Sequence, residues 1–162
     1  MLRKTLFTLL LAVMNIGLVA AVVSTDIKRE TERATSLIEH GRYTEARHSL
    51  VLLRKRVPMD DEVLVRYIDF GLARCAAELR DNEAEQIMLA FLRRYPESVH
   101  VNDVRFLLAM YYCEREEYKT AREYLEKVSY KALNENDREK YNMRMGYIEF
   151  ISGNHDKAYE LF

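Results

Sequence analysis

From about Ile27 to Phe162, apolar and polar residues alternate with helical periodicity, in paired stretches separated by short turns. Each pair has the same layout: an amphipathic helix, a turn carrying glycine or a charged substitute, and a second amphipathic helix that opens near an alanine. The pattern predicts helices over 27–40, 43–56, 62–79, 82–94, 101–115, 118–129, 137–152 and 155–162. Met59-Asp60-Asp61-Glu62, Glu97-Ser98 and Asn134-Glu135-Asn136-Asp137 support three of the starts. Their side chains can cap free backbone N–H groups and meet the positive end of the helix dipole.

Comparing the chain with itself turns this layout into a repeat. Gly41-Arg42-Tyr43-Thr44-Glu45-Ala46, Glu116-Glu117-Tyr118-Lys119-Thr120-Ala121 and Gly153-Asn154-His155-Asp156-Lys157-Ala158 align on their final alanine, with Asp81-Asn82-Glu83-Ala84 between them. The alanines are 38, 37 and 37 positions apart, a period that means stacked units rather than one wrapped core. A small side chain at that point lets two antiparallel helices approach where they cross. Twelve residues earlier stand Ala34, Leu72, Ala109 and Gly146, mostly small. Four residues later stand Leu50, Met88, Leu125 and Phe162, apolar residues suited to filling the space between units.

These residues resemble the tetratricopeptide repeat, whose pattern couples a small residue in helix A, a Gly-x-Tyr-like turn, an alanine in helix B and a terminal proline. Pro58 and Pro96 stand twelve residues after Ala46 and Ala84, where the family places its proline, and Leu133 takes that place in the third unit. The signature residues are thus Ala34, Gly41, Tyr43, Ala46, Pro58, Ala84, Pro96, Ala109, Tyr118, Ala121, Gly146, Gly153 and Ala158. The likeness is specific in the third and fourth units. It is weaker in the second, where Leu79 stands for the turn glycine and Asp81 for the turn aromatic. It implies an all-α fold: a right-handed superhelical array of antiparallel helix hairpins, with repeats over about 27–60, 62–98, 101–135 and an incomplete 137–162. It also implies a concave groove lined by Arg66, Asp69, Ala73, Phe106, Met110, Met143, Tyr147 and Phe150, suited to an extended or helical peptide with hydrophobic anchors. The competing expectation is that Met143, Tyr147 and Phe150 pack against a further unit. The last helix stops four residues after Ala158 with no polar cap, which suggests the N-terminal piece of a longer repeat protein.

Residues 1–25 break the pattern. Arg3 and Lys4 precede an apolar run from Leu6 to Val23 that ends in small residues, the layout of a secretory signal cleaved after Ala21. The alternative is an uncleaved inner-membrane anchor, and both readings deliver the remainder to the periplasm or cell envelope of a bacterium.

Composition narrows the function. Gly and Pro number 5 and 2, favouring helices, and 25 Lys and Arg against 26 Asp and Glu leave no basic excess for nucleic acid. Cys75 and Cys113 follow no metal-ligand spacing and read as buried thiols. His40, His48, His100 and His155 pair with no second histidine at ligand spacing, and no hydrolase, metalloprotease or phosphate-loop motif is present. No catalytic residue, metal or cofactor is therefore expected. Arg54-Lys55-Arg56 and Glu114-Arg115-Glu116-Glu117 read as solvated helix ends. Tyr111, Tyr112, Tyr118, Tyr124, Tyr130, Tyr141 and Tyr147 read mostly as packing between helices. The leading expectation is a non-catalytic envelope scaffold or adaptor that holds a protein or peptide, touching membrane only through the N-terminal segment. The alternative is a spacer, multimerisation or sensory arm of a longer signalling protein or enzyme.

Overall fold

A computed structural model describes residues 25–162; the segment read as a signal or anchor, with the cleavage expected after Ala21, lies outside the described residues. Every described element is helical. In order they are α1 (25–39), α2 (Tyr43–Arg56), α3 (Glu62–Glu78), α4 (Ala84–Arg94), α5 (Val101–Glu114), α6 (Tyr118–Leu125), a 3₁₀ turn (Tyr130–Ala132), α7 (Glu135–Ile151) and α8 (His155–Leu161). Among the described residues no helix is long and apolar enough to cross a membrane.

Each of the four hairpins turns in the same way. The backbone is left-handed at Gly41 (φ 71°), Arg80 (53°), Glu116 (62°) and Gly153 (80°). At each, the N–H of that residue donates to the carbonyl three back. The next N–H donates to the carbonyl five back, as Arg42 to Leu37, Asp81 to Ala76, Glu117 to Tyr112 and Asn154 to Glu149. This is the Schellman closure, which satisfies carbonyls left over at a helix C-terminus.

The second turn differs by one residue. The alanine N–H bonds four residues back in three hairpins (Ala46 to Arg42, Ala121 to Glu117, Ala158 to Asn154), but Ala84 bonds three back, to Asp81. The tighter bond absorbs a missing residue, so α4 opens at Ala84 rather than at 82. The left-handed position there is Arg80, not the Leu79 that alignment on alanine suggests.

The described residues divide into two compact units, 25–68 and 69–162, the division falling inside α3. In the first, Ile27, Ala34, Leu37, Ala46, Leu50 and Leu53 are buried. Tyr67 and Thr35 share a 2.6 Å hydrogen bond between hydroxyls, and Arg56 on α2 reaches Asp26 and Glu30 on α1 at 2.7 and 2.6 Å.

In the second unit one apolar core runs through α3, α4, α5, α6 and α7, with Met88, Leu108, Leu125 and Ile148 at its centre. Ala109 and Ala121, the paired small residues of α5 and α6, are fully buried. The tyrosines do join helices: Tyr112 stacks on Tyr124 at 5.6 Å, Tyr118 meets Tyr147 edge-on at 5.4 Å and Tyr130 meets Tyr141 at 5.3 Å.

Two further departures from the expected helix ends have a side-chain cause. α6 stops at Leu125 instead of continuing to 129, because Asn102 of α5 captures the backbone of Ser129. Its Oδ1 accepts from Ser129 N at 2.6 Å and its Nδ2 donates to Ser129 O at 3.3 Å, while Val128 and Leu133 turn inward. α7 starts two residues early because Asn134 caps it, accepting the Asp137 N–H at 3.0 Å. Asp61 acts likewise at α3, accepting from Leu64 N at 3.1 Å.

Candidate partner-binding surface

The helical hydrogen bonds of α7 leave its side chains sorted onto two faces. Met145, Gly146, Ile148 and Glu149 are buried. Met143, Tyr147 and Phe150, at i, i+4 and i+7, share the other face and are 63%, 43% and 53% exposed, with Ile151 beside them. Tyr147 is steadied by Tyr118, and Phe150 by the ring of His155 at 5.3 Å. Gly146 permits a close approach on the buried side. A Cβ there would sit 2.9 Å from Cε1 of Phe162, so the exposed Phe162 ring would have to shift to make room for it.

The other residues expected in a groove are placed differently. Ala73 and Phe106 are buried, at 0% and 5% exposure, because α3 and α5 turn them into the shared core; they are corrected here from groove to core. Met110 is partly buried against the same core. Asp69 accepts a 2.7 Å hydrogen bond from the Tyr95 hydroxyl and lies 3.5 Å from Arg94, which ties it to the C-terminal end of α4. Arg66, half-buried, belongs to the first unit. The structure therefore brings together Met143, Tyr147 and Phe150.

The sequence reading missed a buried charge. Glu149 is only 6% exposed, and its carboxylate accepts from Arg122 Nη1 at 2.7 Å and from Asn154 Nδ2 at 2.6 Å. The Arg122 guanidinium, then the Asn154 amide, hold its carboxyl below the ordinary range, and the same pair raises Arg122. A signal was present, since Glu149 stands three residues after Gly146 as the buried Tyr112 does after Ala109.

Both cysteines are buried, and burial pushes the Cys113 thiol up. Among the described residues no group of His, Cys, Asp and Glu gathers to hold a metal. His100 stacks on Phe70 at 3.9 Å, and His40 Nδ1 lies within hydrogen-bond distance of Ser36 O at 2.7 Å.

Hairpins that recur with the same turn, the same buried alanine and the same order define a helical-repeat protein. Residues 68–98 match the family model of the tetratricopeptide repeat, and the layout of that hairpin is the one the others repeat. The match falls on the second hairpin, the one whose turn is a residue short and lacks the turn glycine and aromatic. No curated protein and no solved structure matches the chain.

Proposed function

We propose that this chain is a non-catalytic scaffold or adaptor of the bacterial cell envelope, and that it holds a partner protein through a peptide segment laid on the exposed face of α7. Tetratricopeptide repeats generally mediate protein–protein interaction. The observation that carries the site is the row Met143, Tyr147 and Phe150, three large apolar side chains on one face of a helix whose other face is fixed in the core. Rigid, desolvatable anchors of this kind dominate binding energy in protein interfaces. They suit a segment presenting its own apolar side chains at matched spacing. Export rests on the segment from Arg3 to Val23, whose charged start and apolar run address the repeats to the envelope.

The test is capture of crosslinked partners from envelope extracts by the wild-type chain and by a Met143→Glu, Phe150→Glu double variant. Both substitutions are at exposed positions, so far-ultraviolet circular dichroism should not change. The proposal expects one partner recovered with the wild type to fall about tenfold or more with the variant, the loss of an interface anchor. Equal recovery of all partners contradicts it.

A further inference from the structure

The two joints between hairpins in the second unit each carry a short, part-buried polar link, and the two links occupy the same places in the repeat. Tyr112 of α5 donates its hydroxyl to Glu85 of α4 at 2.6 Å, and Arg122 of α6 donates to Glu149 of α7 at 2.7 Å. Glu85 and Arg122 each follow the helix-B alanine by one residue, after Ala84 and Ala121. Tyr112 and Glu149 each precede the next alanine by nine, ahead of Ala121 and Ala158. Tyr112 and Glu149 are each 6% exposed. Each also gives its backbone carbonyl to the Schellman closure of its own hairpin, accepting from Glu117 N and Asn154 N at 2.9 Å. One residue thus ties the joint behind it to the turn ahead of it.

What changes between the joints is the chemistry. α4 offers an acceptor to a donor, and α6 offers a donor to an acceptor. We propose that this pair of positions is a transferable register lock, in which the chemistry at each joint specifies which helix A a given helix B accepts. Docking α7 on α4 would bring the carboxylates of Glu149 and Glu85 together in a part-buried place, where like charges repel and neither meets a cation or a hydroxyl from the other helix. The lock therefore rejects a hairpin that skips a repeat as well as favouring the correct neighbour, which is specificity by an unfavourable alternative. It acts within the chain and does not depend on the binding proposal.

The experiment transplants the first lock into the second joint of the full chain. Arg122→Glu alone opposes two carboxylates and should lower the midpoint of thermal unfolding by roughly 5–10 °C. Glu149→Tyr alone removes the acceptor and should also lower it. The double variant Arg122→Glu, Glu149→Tyr recreates the Glu–Tyr pair of the α4–α5 joint and should regain at least half of the loss caused by Arg122→Glu. Its remaining stability should also vary less with added salt than that of the wild type, because an ion pair has become a bond to a neutral hydroxyl. If Arg122→Glu does not fold, folding of the double variant is itself the expected rescue. A double variant that is no more stable than the two single losses combined, or that fails to fold, overturns the proposal.

Discussion

Arg80 and Glu116 hold the left-handed backbone that Gly41 and Gly153 hold in the other hairpins, a conformation in which a Cβ crowds the carbonyl that follows it. Arg80→Gly and Glu116→Gly should each stabilise the chain by about 0.5–1 kcal/mol, seen as a rise in the thermal midpoint. Little opposes the gain at Arg80, whose contact with Glu114 is an exposed 3.2 Å pair. Gly41→Ala and Gly153→Ala should each lower stability by about 1 kcal/mol. Glu149 sets a pH dependence at the same scale. Its folded carboxyl titrates below its ordinary value, so its contribution is complete above the ordinary carboxylate range and is lost as pH falls through the lowered folded value. Glu149→Gln should cost about 1–2 kcal/mol near neutrality, and urea unfolding at pH 7 and pH 3 should show the difference from wild type shrinking at the acidic end.

Between helices, the alanine at each crossing decides how closely a hairpin closes. Ala121 is fully buried where α6 meets α5, so Ala121→Leu should destabilise by about 1–3 kcal/mol through overpacking, measured by chemical unfolding. These elements were readable because the repeat states them four times. The period, the small residues and the turn glycines all point to the same helices, and the observed bounds fall within a few residues of those the pattern predicts. The departures arise where a distant group overrides local preference. Asn102 ends α6 from 27 positions away, and a one-residue deletion is hidden by a tighter hydrogen bond at Ala84. The candidate site was legible in part for the same reason. Spacing put Met143, Tyr147 and Phe150 on one helical face, but it carried no information on which of the two faces of α3 and α5 would be enclosed. Ala73 and Phe106 were thus placed in the groove when they are in the core.

At the scale of the molecule, the second unit combines one continuous core with a row of large apolar side chains left on the outer face of α7. A helix fixed by its buried face can present anchors with little further ordering, which favours affinity without requiring the repeat to rearrange. The central claim is that this face is where a partner lies, and the most direct measurement is hydrogen–deuterium exchange of the captured complex against the free chain. The account predicts slowed exchange confined to α7 and its flanking turns, together with loss of that protection in Met143→Glu, Phe150→Glu. Protection elsewhere in the repeats with α7 unchanged would contradict it.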